Sequence, residues 1–165
     1  MGPMEKLSYH LRARPAELAR MKDEGTKIVG CYPGDYVPEE IIYASGAIPL
    51  CLIHGGDDRI VDASLSRVTR YLCPFSKAQV GEIVLKEQPY YNLVDMLVGP
   101  VTCQHLRRAA DVWEYFEGMD VFRFGIPHEY EAGRSLEYYI ETMGLLNFFN
   151  GELLCSPLLM LLFLR

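Results

Sequence analysis

The chain has 165 residues, of which 50% are hydrophobic and 23% charged, so its composition favours one globular domain and excludes a disordered protein. The formal net charge of −6 does not support nucleic-acid binding, which usually shows a basic patch. Five scattered cysteines do not match a secreted disulfide framework, and the first residues contain no apolar signal-peptide core. We expect a soluble, cytoplasmic protein with no nucleic-acid or membrane partner.

The first half of the chain predicts a leading helix, followed by a short strand, a helix and a second strand. Residues 5–24 combine charges with leucines at helical spacing, and Pro15 is expected to interrupt this leading helix. Two short apolar runs are the strand candidates, and the helix between them has a proline near its first turn, where a missing N–H costs little. In chain order, these three elements cover residues 26–31, 37–45 and 47–53.

The second half of the chain continues the alternation of strands and helices. Apolar residues at helical spacing mark residues 65–85, where Pro74 breaks the pattern, and a third strand follows at 93–101. After another helix, residues 120–127 are the fourth predicted strand. Ser135 is the predicted N-cap of the last helix. The apolar stripe of that helix consists of Leu136, Tyr139, Ile140, Met143 and Leu146.

This alternation predicts an α/β fold with a parallel sheet, helices on both faces, right-handed crossovers and the strand order 2-1-3-4. We divide the chain into an N-terminal helical segment at residues 1–25, an α/β domain at 26–150 and an apolar tail at 151–165. The apolar run in the tail is too short to cross a bilayer, which takes about 20 residues. We expect it to be the end of a fragment or of an incomplete gene rather than a membrane anchor.

Two cysteines are placed to carry chemistry. Cys103 follows the third strand and lies in the first turn of a helix, where the dipole favours the thiolate that ligates metals. Cys73 lies thirty positions earlier, in a different strand–helix unit, so the pair does not have zinc-ribbon spacing. Because ligands bind at the carboxyl edge of open α/β sheets, the two thiolates could share an iron–sulfur cluster there. The alternative for Cys103 is a small buried apolar residue.

The other cysteines are weaker candidates. Cys31 follows the first strand and could reach the same edge of the sheet. Cys51 lies within an apolar strand and is expected to be buried in the core. Cys155 belongs to the apolar tail and has no assigned role.

Several charged side chains also lie near predicted strand or helix ends. Glu39 and Glu40 either offset a helix dipole or transfer protons. The histidines after strand ends either take part in acid–base chemistry or are solvated loop residues. They are His54, His105 and His128. Arg107 and Arg108 either form a solvated helix face or offset the charge of a thiolate-bound cluster or a phosphate.

Three motifs follow one another along the chain: VPEEIIYASGAIP at residues 37–49, LCPF at 72–75 and TCQHLRR at 102–108. Together they resemble the motifs of the 2-hydroxyacyl-CoA dehydratase D-component family, which includes benzoyl-CoA reductase subunits and the double-cubane-cluster reductases. The similarity runs from about residue 27 to residue 149. Three motifs in register are far more specific than any one alone.

The resemblance implies that residues 26–150 form a flavodoxin-like domain with an oxygen-sensitive iron–sulfur cluster, of the 4Fe–4S or double-cubane type, ligated by Cys73 and Cys103. It also implies a paralogous second subunit, an ATP-hydrolysing activator that donates electrons, and an acyl-CoA substrate. In dehydratase members, one electron converts the thioester to a ketyl radical, which acidifies the β-hydrogen and lets the 2-hydroxyl leave. The alternative is an ATP-dependent double-cubane-cluster or benzoyl-CoA-type reductase subunit.

Three features depart from the family pattern. Many members have a cysteine three residues before the valine of the first motif, where this chain has Gly34. Some dehydratases carry a catalytic carboxylate after the second strand, and residues 52–57, LIHGGD, contain no clear match. Family subunits are also more than twice as long as this chain. We therefore expect an N-terminal fragment that is inactive by itself and lacks a further ligand. The opposing hypothesis is a non-catalytic, truncated α/β domain.

Overall fold

The computed structural model describes residues 2–34, 36–55, 57–131 and 133–154. Its strands are β1 (Ile28–Cys31), β2 (Ile48–Cys51), β3 (Met96–Val101) and β4 (Asp120–Gly125). All pairings between them are parallel, and the strand order is β2-β1-β3-β4. The predicted α/β class, the flavodoxin-like parallel sheet and the order 2-1-3-4 are confirmed.

Helices connect successive strands, and one long helix precedes them. They are α1 (Pro3–Asp23), α2 (Glu39–Ala44), α3 (Asp58–Ala63), α4 (Pro74–Leu85), α5 (Pro89–Leu93), α6 (Gln104–Glu117) and α7 (Ser135–Leu154). The helical region predicted at 65–85 with a break at Pro74 is confirmed from Pro74 onward and wrong before it, where residues 67–73 are not helical. Asp57 caps the separate helix α3 by accepting the Arg59 N–H at 2.9 Å, and a short 3-10 turn at Ser64–Ser66 follows it. The predicted third strand, 93–101, is confirmed from Met96, whereas Leu93 is the last residue of α5.

The central strand β3 separates the two halves of the hydrophobic core. Leu97 packs with α4, α5 and α6 on one face of the sheet, where Trp113 is the largest buried side chain. Met96 and Val98 point to the opposite face and pack with Phe124 of β4. Neighbouring residues of a strand point to opposite faces, so a strand buried on both faces is continuously apolar. This is the reason that β3 reads as an unbroken apolar run.

The leading helix α1 is continuous through Pro15, so the predicted interruption is wrong. A proline inside a helix cannot donate to the carbonyl four residues earlier, which here belongs to Leu11. The Tyr90 hydroxyl donates to that Leu11 carbonyl at 3.2 Å. A side chain from α5 therefore replaces the hydrogen bond that the proline removes. Leu18 anchors the second half of α1 against the sheet.

The last helix, α7, packs through fewer of its apolar residues than predicted. Tyr139, Met143 and Leu146 contact the sheet face, whereas Leu136 and Ile140 are 66% and 53% exposed. Ser135 is the first residue of α7 rather than its N-cap. Residues 155–165, with Cys155, lie outside the described part of the chain. Within that part, no helix is both long and apolar enough to cross a membrane.

Candidate metal centre

Cys73 and Cys103 occupy equivalent positions at two helix N-termini. Cys103 is the N-cap of α6, two residues after β3 ends, and its Sγ accepts the Leu106 N–H at 3.4 Å. Cys73 is the N-cap of α4, and its Sγ accepts the Ser76 N–H at 3.4 Å. Helix N-termini present unpaired N–H groups and the positive end of the dipole, which stabilise negative charge. Both sulfur atoms therefore accept a backbone N–H in the first turn of a helix.

The side chain of Ser76 adds a second contact to Cys73. The Cys73 thiol donates to Ser76 Oγ at 3.2 Å, and Ser76 is fully buried. Ser76 therefore holds the Cys73 side chain against the first turn of α4 through both its backbone and its hydroxyl. Ser76 directly follows the LCPF motif, but nothing in the sequence spacing indicated that it contacts the sulfur atom.

The loops that carry the two cysteines meet through His105. The Cys73 N–H donates to His105 Nδ1 at 2.7 Å, although 32 positions separate the two residues. Helices α4 and α6 pack side by side, so this hydrogen bond joins their N-terminal ends. Because α6 begins just after β3, both N-termini lie at the carboxyl edge of the sheet, as the sequence predicts. That the two thiols bind a metal remains a prediction.

Cys31 and Cys51 have the reverse of the expected environments. Cys51 is exposed, so its predicted burial is wrong, whereas Cys31 is 2% exposed and packs in the apolar core. The difference follows from the strand order, since β1 lies between two strands and β2 is the edge strand. Burial raises the pKa of the Cys31 thiol to about 12, with smaller contributions from the charges of Glu39 and Cys51. Cys31 is therefore a protonated core thiol at neutral pH.

The donor set fits an iron–sulfur cluster only in part. Such clusters are generally held by four ligands, mostly cysteine thiolates. Cys73 and Cys103 provide two thiols at the N-termini of two neighbouring helices. Among the residues that the structure describes, no group of three or more His, Cys, Asp and Glu side chains is arranged to hold a metal ion. A complete ligand set thus requires donors from outside the described residues.

His54 contacts the buried side chain of Glu82, and the sequence indicated only the histidine of this pair. Its Nδ1 lies 3.1 Å from Oε1 of Glu82, a carboxylate of α4 that is wholly inaccessible to solvent. Oε2 of Glu82 accepts the Gln88 N–H at 3.3 Å, whereas Oε1 has no aligned hydrogen bond within the described part of the chain. The Gln79 amide donates to the His54 carbonyl at 2.8 Å. A lone carboxylate in the apolar stretch around residue 82 was the available sequence signal.

The remaining candidates lie in solvent. Glu39 and Glu40 are exposed in the first turn of α2, and His128 is exposed after β4. Arg107 is also exposed, and Arg108 forms an ion pair with Asp111 at 2.9 Å within α6. These positions fit the solvated alternatives and place none of these side chains in the hydrogen bonds around Cys73 and Cys103.

Comparison with known proteins connects this arrangement to a family. The family described as 2-hydroxyglutaryl-CoA dehydratase, D-component, matches residues 35–149, which contain both N-cap cysteines but not Cys31. A benzoyl-CoA reductase subunit of Thauera aromatica is 30% identical over 118 residues, which are 71% of this chain and 30% of that protein. The putative dehydratase subunit YjiM of Escherichia coli strain K12 is 28% identical over 116 residues, which are 70% of this chain and 30% of that protein.

A third relative is the beta subunit of (R)-2-hydroxyglutaryl-CoA dehydratase from Acidaminococcus fermentans. It is 31% identical over 90 residues, which cover 54% of this chain and 22% of the relative. The chain therefore spans less than a third of the length of the relatives that it matches. The family match itself covers well over half of the chain and runs from the segment before α2 into α7. By this match, the chain belongs to the 2-hydroxyglutaryl-CoA dehydratase D-component family.

Proposed function

We propose that this chain is part of a subunit of a 2-hydroxyacyl-CoA dehydratase and contributes Cys73 and Cys103 to its iron–sulfur cluster. The observation that carries the proposal is the pair of cysteine N-caps, whose loops are joined by the hydrogen bond from the Cys73 N–H to His105 at 2.7 Å. Soft thiolate ligands select iron–sulfur clusters and zinc over magnesium or calcium. The family match, which contains both cysteines, favours the cluster over zinc.

In this proposal, the cluster is of the 4Fe–4S or double-cubane type and supplies the single low-potential electron that ketyl-radical elimination of water from a 2-hydroxyacyl-CoA requires. The contribution of this chain is to hold two ligands at the carboxyl edge of the sheet. Electrostatic stabilisation by two helix N-termini lowers the free energy of the bound thiolates. The further ligands and the acyl-CoA site would come from sequence or subunits beyond the described residues.

We propose a paralogous second subunit and an ATP-hydrolysing activator as partners, in the cytoplasm. All three relatives reported above are named as subunits, and two of these names specify the enzyme, a benzoyl-CoA reductase and an (R)-2-hydroxyglutaryl-CoA dehydratase. Because the identities of these two relatives to this chain are nearly equal, a benzoyl-CoA-type or double-cubane-cluster reductase subunit is the second candidate function. Product analysis with a partner subunit and an activator would separate the two, since a dehydratase yields an enoyl-CoA and a reductase yields a reduced ring or small molecule.

The ligand assignment is tested by reconstituting the 165-residue chain with iron and sulfide without oxygen. Because two thiolates do not complete a cluster site, we expect weak, substoichiometric iron binding with broad absorbance at about 400 nm. For the same reason, we expect no dehydratase turnover. Cys73→Ser and Cys103→Ser should each abolish the absorbance. Cys51→Ser is the matched control, because it removes another exposed thiol and should change nothing. Unchanged absorbance in Cys103→Ser would contradict the assignment.

A further inference from the structure

The imidazole of His105 bridges the two cysteine-bearing loops. It is half-buried in the first turn of α6, and its Nδ1 accepts the Cys73 N–H at 2.7 Å. Because Nδ1 is the acceptor, the neutral ring carries its proton on Nε2. The backbone N–H of an N-cap residue lies outside the hydrogen-bond ladder of its helix, so this donor needs a partner from elsewhere. His105 supplies that partner to α4 from a different helix.

This hydrogen bond connects the backbone of one cysteine to the helix of the other. His105 is separated from Cys103 by a single residue, and its acceptor atom holds the amide of Cys73 itself. A change in the position of the ring would therefore move Cys73 relative to Cys103 directly. Metal ligands must be held close to their bound geometry by the groups around them, and loss of such a group commonly weakens metal binding by about tenfold to a hundredfold.

We propose that His105 is a positioning residue that sets the separation of the Cys73 and Cys103 thiols and so allows them to bind one metal centre. The inference rests on the proposed function of the two cysteines. In it, His105 neither binds the metal through Nδ1 nor acts as an acid–base group. Nδ1 is occupied by the Cys73 N–H. His105 therefore orients the loop that carries Cys73, and it does so through Nδ1, an acceptor atom two bonds from Cβ.

Two substitutions separate this role from simple filling of space. His105→Asn keeps an acceptor, since the amide Oδ1 lies two bonds from Cβ, as Nδ1 does. His105→Leu has similar bulk and no acceptor. The probe is cadmium(II) alone, added to the metal-free chain with Cys51→Ser and Cys155→Ser as background, and binding is followed by sulfur-to-metal charge-transfer absorbance. The background leaves Cys73 and Cys103 as the thiols that bind, because Cys31 is buried.

We expect His105→Leu to weaken cadmium binding by about tenfold or more and His105→Asn to restore it to within about threefold of the parent. Cys73→Ser in the same background should abolish two-thiolate binding. Wild-type affinity in His105→Leu would overturn the inference, as would an Asn variant that binds as weakly as the Leu variant. Circular dichroism and urea unfolding of each variant establish that it is folded.

A measurement on the unsubstituted protein keeps the inference testable if the Leu variant does not fold. In a nitrogen-15-labelled chain, the Cys73 amide should exchange slowly with solvent, because His105 accepts its proton. Exchange at the rate of an unstructured peptide would overturn the inference. The outcomes also separate the two proposals. If Cys103→Ser loses the iron absorbance but substitutions of His105 leave cadmium binding unchanged, the proposed function stands and only the role of His105 is ruled out.

Discussion

Cys31 and Cys51 are register partners on neighbouring parallel strands, yet Cys31 is buried and Cys51 is exposed. Their environments predict different reactivities toward an alkylating reagent such as iodoacetamide at pH 8. Reaction requires an accessible thiolate, and burial raises the pKa of Cys31 to about 12. In the folded protein, Cys51 and Cys103 should be alkylated rapidly and Cys31 slowly, as measured by mass spectrometry of the labelled peptides. Alkylation of Cys31 as fast as that of Cys51 would contradict the structure, and the difference should vanish in urea.

The raised pKa of Cys31 also makes stability depend on pH in the alkaline range. In the folded state the pKa of the Cys31 thiol is about 12, whereas the ordinary pKa of a cysteine thiol is 9.0. Below pH 9 the thiol is protonated in both the folded and the unfolded protein, so it does not make stability depend on pH there. Above pH 9 the unfolded chain loses this proton while the folded protein keeps it. The free energy of unfolding should therefore fall by up to about 1.4 kcal/mol per pH unit.

The measurement is urea unfolding of the parent and of Cys31→Ala between pH 8 and pH 10.5. The Ala variant should lose stability less steeply, although its stability at pH 8 is itself lower because a buried side chain is truncated. Burial also raises the pKa of Tyr32 and of Tyr91. Both tyrosines are present in the parent and in the Ala variant, so their effect on the pH dependence of stability cancels in the comparison. Parallel pH profiles would rule out a buried, protonated Cys31.

The contact between His54 and Glu82 should appear as an energetic coupling. Glu82 is fully buried, and His54 Nδ1 is 3.1 Å from its Oε1. His54→Ala leaves this carboxylate without its ring partner, which should cost about 1–3 kcal/mol of the free energy of unfolding. Glu82→Gln replaces the carboxyl group by an amide of the same shape and keeps an acceptor for the Gln88 N–H.

The test is a double-mutant cycle measured by urea unfolding. Because each single substitution already breaks the same contact between the ring and the carboxyl group, the double variant should lose less stability than the sum of the two single variants, by about 0.5–3 kcal/mol. Additive losses would mean that the two side chains do not interact. A Glu87→Gln variant serves as the matched control, since that exposed carboxylate pairs with Arg59 and should not couple to His54.

The sequence predicted what depends on local pattern and missed what depends on distant contacts. Apolar runs located all four strands, and the positions of Cys73 and Cys103 before helical stretches predicted two helix N-termini at one edge of the sheet. The partner of the Cys73 N–H could not be read from spacing, because His105 lies 32 positions away. Burial of Cys31 rather than Cys51 depends on which strand lies at the edge. The continuity of α1 through Pro15 depends on Tyr90, which is even more distant along the chain.

Gly81 allows α3 and α4 to pack closely, and this contact predicts a large effect of one methyl group. A Cβ at Gly81 would lie 1.9 Å from the Ile60 carbonyl oxygen and 2.7 Å from its carbon. Both are backbone atoms, so a helix must move to relieve the overlap. Gly81→Ala should therefore destabilise the protein by about 1–3 kcal/mol or more, measured by urea unfolding. Because Cys73 is the N-cap of α4, displacement of the helix should also weaken metal binding by that cysteine.

Gly144→Ala in α7 is the matched control for this substitution. It makes the same chemical change inside a helix, but nothing lies within 4 Å of the added Cβ. Alanine restricts the unfolded chain more than glycine, so this variant should be more stable than the parent by roughly 0.5–1 kcal/mol. Opposite signs for the two variants would show that the cost at position 81 arises from packing against Ile60. A Gly81→Ala protein as stable as Gly144→Ala would mean that α3 and α4 are not packed as closely as the structure shows.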